Sequence, residues 1–401
     1  MRTETRNRLF DIAFFLVEAF ASLEVTAVIV ANARISQALT IPARHSSLIL
    51  NSYLYPLFAC MGAFLFYERA ISRRFPPRAF YAVGLALFTA GNLLCAFAPV
   101  AAIFFVGRFV MGIGGAIAFT GQLWTVSLFH AARITTPLVY GEIGAALGVV
   151  AGPLLGGVFT SLAPGGWRGF FLFNGALAAA ASLMIFKSLP PGKPALETAA
   201  QIPQAAAEAS DTGALSRRMT LMQVLVSMLT VGAEYLFSGY LQSKLGRSPL
   251  FVGGMTFIAS IGIIIGSLAA GRMPEKSRRI PGIAIAGIIA ALIGMTACLA
   301  TLHINAAALP ILLAGLFMGL ANVSIYAAIV QHSRPAEFLN RSLVYLIGMQ
   351  IGNALGIQAV GLAEVADLSV IATTAVVLAA AALAVAVYFL IERLRARRAA
   401  T

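Results

Sequence analysis

Residues 144–156 read GAALGVVAGPLLG, with Gly144, Gly148, Gly152 and Gly156 spaced four apart and Pro153 beside the third. A glycine costs a water-exposed helix about 1 kcal/mol relative to alanine and a proline about 3 kcal/mol, so five such residues in one apolar run need a compensating role. The surrounding composition identifies the solvent. Hydrophobic residues make up 60% of the 401-residue chain and charged residues 11%, more apolar surface than a water-soluble fold needs. Runs of 18 or more apolar residues mark membrane-spanning helices. Twelve occur, at about 10–32, 46–67, 79–97, 101–124, 136–160, 169–187, 219–241, 249–271, 281–301, 307–330, 342–362 and 368–390. The fold class expected is an all-α integral membrane protein with twelve transmembrane helices.

The basic residues orient these spans, because cytoplasmic loops hold the excess of Lys and Arg. With the N-terminus inside, 22 of the 28 Lys and Arg fall on the cytoplasmic side, among them Arg2, Arg6, Arg8, Arg69, Arg73, Arg74 and Arg78, and the run from Arg393 to Arg398. The other side receives Arg34, Arg44, Arg168, Lys244 and Arg247, and Arg108 alone stays inside a span. A multi-pass protein of the plasma membrane, such as a bacterial inner membrane, with both termini cytoplasmic is expected. The formal charge of +13 is then a topology signal, and no nucleic-acid partner is expected.

Asp11, Glu18 and Glu24 interrupt the first apolar stretch, which lacks a small-residue cleavage pattern and reads as a retained helix. Cys60, Cys95 and Cys298 lie inside spans without paired spacing, and the four histidines form no ligand pattern, so neither disulfides nor a metal site are expected. Residues 188–218, SLPPGKPALETAAQIPQAAAEASDTGALSRR, read as an Ala- and Pro-rich cytoplasmic linker. It separates an N-terminal six-helix half, residues 1–187, from a C-terminal half, residues 219–401. Transporters built from repeats around a midplane site are organised in this way.

Five stretches resemble motifs of the major facilitator superfamily, and within it the drug:proton antiporter branch whose members usually have fourteen helices. GEIGAALGVVAGPLLGGVF (141–159) is similar to the antiporter motif, a glycine series ending in Gly-Pro-x-x-Gly-Gly. WRGFFLFN (167–174) resembles the Trp-Arg-x-x-Phe-x-x-Asn start of the sixth helix, and GRFVMGIGGA (107–116) the arginine and glycine pattern of the fourth. LEVTAVIVANARI (23–35) resembles the Leu-Asp-x-Thr-Ile-Val-Asn motif with Glu24 in place of Asp, and YLQSKLGRSPLFVGG (240–254) the connection from helix 7 to helix 8. There are departures. GAFLFYERAISRRF (62–75) keeps Glu68, Arg69, Arg73 and Arg74 of the family's gating loop but loses its glycine spacing, and Met111 stands where glutamine is usual. Residues 188–218 cannot span, so the chain looks like a twelve-helix relative with the major facilitator fold.

Four residues advance a helix by about 400°, so Gly144, Gly148, Gly152 and Gly156 form one slowly drifting stripe roughly 18 Å long. In lipid such a stripe lets two backbones approach and gain dispersion contacts. Pro153 frees a carbonyl that a neighbour can satisfy. The resemblance implies that this helix packs between the halves, against the eighth span with Gly262 and Gly266. Gly348, Gly352 and Gly356 make a second stripe on the eleventh span.

The chemistry is expected from charge within the spans, since an ionisable group near the bilayer centre costs about 2.5–3.5 kcal/mol and is paired, wet or functional. Proton coupling is assigned first to Glu24, at the acidic position of the first-span motif, with Arg108 as electrostatic switch and Glu18 and Glu142 as further candidates. Substrate binding is assigned to Glu234, which suits a cation, and to Tyr235, Asn51, Tyr53, Gln122, Trp124, Asn322, Gln350 and Asn353. Amide and aromatic linings suit amphipathic molecules. The alternative for each polar group is helix–helix glue, and for Glu142 simple solvation; Glu364 and Asp367 read as solvated at the last outer loop. Gly144, Gly148, Gly152, Pro153, Gly156 and Gly157, with Glu68, Arg69, Arg73 and Arg74, are the expected gating elements.

No Gly-Lys-Ser/Thr phosphate loop, His-Glu-x-x-His or Gly-x-Ser-x-Gly occurs, which leaves an ATP-driven pump, a metalloprotease and a serine hydrolase without their residues. The expected function is therefore a non-enzymatic, cofactor-free, proton-coupled secondary transporter exporting drug-like or metabolite amphipathic molecules by alternating access, a multidrug antiporter being one form. Proton-coupled uptake, facilitated diffusion and lipid flipping on the same fold are the alternatives. The expected partners are a small-molecule substrate, protons and the lipid bilayer, with the chain working as a monomer.

Overall fold

Short connections carry the residues that stop one helix and start the next. Pro77, Pro249 and Pro281 stand in the first turns of their helices, where a missing N–H costs nothing. The Ser248 hydroxyl caps the eighth by accepting from the Phe251 amide. The computed structural model describes residues 3–129, 135–190, 212–273, 279–331 and 337–400. Its long helices are α1 (Thr3–Ala38), α2 (Leu48–Arg74), α3 (Pro77–Ala96), α4 (Ala101–Phe129), α5 (Thr135–Leu162) and α6 (Trp167–Ser188). After the linker come α7 (Thr212–Ser243), α8 (Pro249–Arg272), α9 (Ile280–Ala300), α10 (Ala308–Gln331), α11 (Phe338–Val365) and α12 (Val370–Ala400). Each contains a window long and apolar enough to cross a bilayer, giving 12 candidate spans among the described residues. The chain is an all-α, multi-pass membrane protein.

Two boundaries differ from the sequence reading. Residues 212–218, counted there as linker, form the first two turns of α7; this stretch follows the last proline, Pro203, and Leu and Arg favour helix. Most of the linker, residues 191–211, lies outside the described residues, as do the side chains of Glu68, Arg69, Arg73 and Glu142. Arg74 is exposed at the end of α2.

The helices pack in two sets with the same pattern. α1 lies on α5 as α7 lies on α11, α2 on α4 as α8 on α10, and α3 on α4 and α6 as α9 on α10 and α12. The sets meet through α5 with α8, α2 with α11, and α1 with α7. The glycine stripe of α5 does not face α8. Gly144, Gly148, Gly152 and Gly156 abut Phe15, Ala19, Thr26 and Ala27 of α1. The α8 contact uses the row one residue further on: Val149, whose carbonyl accepts from Ser260 Oγ at 3.0 Å, Pro153 beside Gly253, and Gly157 beside Pro249. One residue is a 100° turn of the helix, so a glycine row and its neighbour serve two different partners. Gly262 and Gly266 likewise pack on Leu312 and Leu316 of α10, and Gly348, Gly352 and Gly356 on Thr220, Val224 and Met228 of α7.

Candidate functional site

Glu24, six turns into α1, is completely buried and points into the interior of the first helix set. Arg108 on α4, also completely buried, donates from Nη1 to Glu24 Oε1 and forms an ion pair with it. Asn174 on α6 donates from Nδ2 to Glu24 Oε2 at 2.6 Å. Arg108 Nε donates to the Ile49 carbonyl in the first turn of α2 at 2.8 Å, and its guanidinium lies 4.9 Å from the Tyr53 ring centre and 5.9 Å from that of Phe171. Arg108 Nη2 and Asn174 Oδ1 are buried with no partner among the described residues. Burying an ion pair demands good geometry and further hydrogen bonds, and here four helices supply them.

Glu18 lies toward the end of the bundle that carries the termini and is half-buried. Gln122 Nε2 donates to it at 2.6 Å, and Tyr81 Oη donates to Gln122 Oε1 at 2.9 Å. Gln122 and Tyr53 thus serve Glu18 and Arg108 within the first set, while Trp124 packs on Phe64 and Phe80. In the second set Gln223 Nε2 donates to Asn322 Oδ1 at 3.1 Å, and Asn353 Nδ2 to Gln350 Oε1 at 3.0 Å. The α1–α4 pairing is charged in the first set, whereas the α7–α10 pairing is neutral in the second. Glu234 is half-buried and has no hydrogen bond or ion pair among the described residues. Its spacing sets it on the α7 face of Gln223, Ser227 and Thr230.

Tyr235 and Asn51 belong to a polar layer between the sets, at the end opposite the termini. Asn32 Nδ2 donates to Tyr235 Oη at 2.9 Å, which donates to Ser46 Oγ at 3.1 Å; Ser46 in turn donates to Glu364 Oε2 at 3.2 Å. Asn51 and Tyr55 both donate to Gln358 Oε1 at 3.1 Å. Gln242 Nε2 and Ser238 Oγ reach the Val30 and Ile29 carbonyls. These crossings, with Ser260 to Val149 at mid-helix, run from the middle of the bundle to the face opposite the termini, which they seal. Asp367 is exposed and paired with Lys244 at 3.0 Å, but Glu364 is not simply solvated. Asn174, Tyr81, Ser46 and Gln358 were not among the residues picked from the sequence; only Asn174 carried a signal, as the last residue of the Trp-Arg-x-x-Phe-x-x-Asn stretch.

Residues 14–357 match the sequence profile of the Major Facilitator Superfamily. The chain belongs to this superfamily. The efflux pump hmp6 of Hypomyces subiculosus is 31% identical over 182 residues, 43% of this chain and 31% of that protein. The methylenomycin A resistance protein of Bacillus subtilis is 28% identical over 177 residues, 43% of this chain and 37% of that protein. The chain thus spans well under half the length of these curated relatives. Among solved structures, a bacterial homologue of the human lysosomal transporter Spinster, inward-facing and unoccupied, aligns with a TM-score of 0.71 over 98% of both chains at 16% identity. A D-xylose-proton symporter aligns at 0.69, covering 95% of this chain and 96% of that one at 14% identity. At these identities the likeness is one of fold. Hmp6 is named as an efflux pump, and the two solved structures as a transporter homologue and a symporter.

Proposed function

We propose that the chain is a secondary transporter that exports amphipathic small molecules in exchange for protons, its two helix sets rocking about a central cavity. In this reading residues 1–187 and 219–401 are the rocking halves, the face bearing the termini is cytoplasmic, the membrane is the plasma membrane and the working unit is a monomer. The excess of Lys and Arg on that face supports the orientation, and the names of the efflux pump hmp6 and of the methylenomycin A resistance protein support export.

The observation that carries proton coupling is the sealed pair of Glu24 and Arg108. Removing one charge from a buried pair costs about 3–5 kcal/mol, because the other is left uncompensated. Protonation of Glu24 in this conformation carries that cost, so proton uptake favours another conformation, and a ligand that binds two conformations unequally shifts their balance. Glu24 takes a proton when the site opens to the outer side, substrate leaves, and the return to the conformation described here expels the proton. Glu18, held by Gln122, is the next acid toward the cytoplasmic face, and Gly141, the residue before Glu142 on α5, packs beside it. The substrate surface is assigned to Glu234, with Asn322, Gln350, Asn353 and the second-half face of α7; Tyr235 and Asn51 act in the seal, and the rows of α5 and the 68–74 end of α2 in gating.

The test uses the full chain in liposomes with a trapped pH dye, an imposed proton gradient and a panel of amphipathic cations, neutral drugs and small metabolites. Proton movement opposite to substrate, lost in Glu24→Gln, is the expected result. Substrate flux with equal proton movement in wild type and Glu24→Gln removes Glu24 from the mechanism.

A further inference from the structure

We propose that Asn174 reads the protonation state of Glu24, turning its side-chain amide through half a rotation when the carboxyl takes up a proton. The inference rests on the proton-carrier reading of Glu24 and extends it to α6.

Each Glu24 oxygen has one donor, Arg108 Nη1 on Oε1 and Asn174 Nδ2 on Oε2, while Oδ1 of the same amide is buried and receives nothing among the described residues. This arrangement suits a carboxylate, which only accepts. Protonation changes the inventory. A hydrogen on Oε1 would point at a guanidinium, and a hydrogen on Oε2 at the Nδ2 hydrogens. Arg108 has no acceptor to offer and is held by the Ile49 carbonyl and the Tyr53 and Phe171 rings. Asn174 has one. A half-turn about its Cβ–Cγ bond, a torsion that is broad and roughly two-fold, exchanges Nδ2 for Oδ1 without moving the backbone. Glu24 Oε2–H then donates to Oδ1, and Oε1 still accepts from Arg108. The proton comes from water and returns to water, and no other bond forms or breaks.

Glu24 faces this centre from α1, Tyr53 from α2, Cys95 from α3 and Arg108 from α4, with Tyr53 and Cys95 each within electrostatic reach of both charges. Among the described residues, Glu18 lies further along α1 and also acts on Tyr53. From α5, Tyr140 is exposed and the Glu142 side chain lies outside the described residues.

The test is pH-difference infrared spectroscopy of the full chain in liposomes, with the side-chain amides of asparagine carbon-13 labelled. The expected result is a carboxylic C=O band that titrates, disappears in Glu24→Gln, and lies where a hydrogen-bonded acid absorbs. Asn174→Leu moves that band up to the position of a free acid, and Asn174→Gln returns it. In the labelled wild type one asparagine amide band shifts along the same transition. A Glu24 band at one position in wild type and Asn174→Leu, or a labelled amide that stays still through the transition, overturns the proposal and leaves Asn174 as a fixed anchor. Absence of any Glu24 band while transport persists defeats the proton-carrier reading, and this one with it. The labelled wild type carries the test even where Asn174→Leu fails to fold.

Discussion

Glu24→Gln keeps the shape of the first-span acid and removes the counter-charge of Arg108. The arginine then stays wholly buried, with a carbonyl from Ile49 and two ring faces but no anion. Leaving one member of a buried pair costs about 3–5 kcal/mol. That cost falls on the conformation sealed opposite the termini, and a conformation that admits water to Arg108 escapes it. A difference of this size changes the ratio of two conformations by roughly 2 × 10²- to 5 × 10³-fold, and a shift from 1:99 to 99:1 needs about 10⁴-fold. Spin labels at Ala38 and Ser243, exposed at the sealed ends of α1 and α7, report the change by electron–electron distance measurement in liposomes. Wild type should give one short distance, and Glu24→Gln a large population at longer distance. Glu24→Gln combined with Arg108→Met, which removes both charges, should restore the short one. Identical distributions in wild type and Glu24→Gln refute the reasoning, because the buried charge would then have been compensated by something other than Glu24.

Three further outcomes follow from single residues. A Cβ at Gly156 would lie 2.5 Å from the Ala27 oxygen and 2.8 Å from its Cα, so Gly156→Ala should cost about 1–3 kcal/mol by overpacking; Gly254→Ala meets nothing within 4 Å and should be neutral or stabilising, as thermal denaturation in detergent would report. Tyr235→Phe deletes the hydroxyl between Asn32 and Ser46, weakening the seal by about 0.5–1.5 kcal/mol per bond, read as a larger long-distance fraction between the Ala38 and Ser243 labels. Glu234→Gln should raise KM for lipophilic cations about tenfold, ~1.4 kcal/mol, and leave neutral substrates unchanged; equal losses for both make Glu234 a structural group.

The helix count was legible because each span is a long apolar run with few charges, and the start of α7 was not, because the linker's alanines hide the point where proline stops. Gly144 to Gly156 were legible as a packing stripe, yet their partner was not. A sequence gives the rotation of residues about their own helix axis but not which neighbour lies in that direction, and one residue separates the row that meets α1 from the row that meets α8. The same limit explains Asn51, Tyr53, Gln122 and Tyr235. Each is polar or aromatic in a span, and only the packed structure distinguishes the α2–α11 seam from the interior of the first half. Glu24 and Arg108 were legible as the costly charges, but their ligand Asn174 lies 150 residues from Glu24, too far for any local pattern to join them.

The charge centre and the seal are separate sites, yet α2 belongs to both. Ile49 supplies the carbonyl that holds Arg108, and within the same turn or the next Ser46, Ser47 and Asn51 reach α11 at Glu364 and Gln358. Any movement of Arg108 that drags the Ile49 carbonyl therefore disturbs the segment that closes the opposite face. Gln358→Leu tests the link from its far end, since it removes the acceptor of Ser47, Asn51 and Tyr55 together and leaves Glu24, Arg108 and Asn174 untouched. The seal then opens without waiting for the charge pair. The expected result in liposomes is a proton leak without substrate and a lower proportion of substrate moved per proton. Coupling as tight as wild type would mean that the halves are locked through α5 and α8 instead, and that the shared turn of α2 transmits nothing.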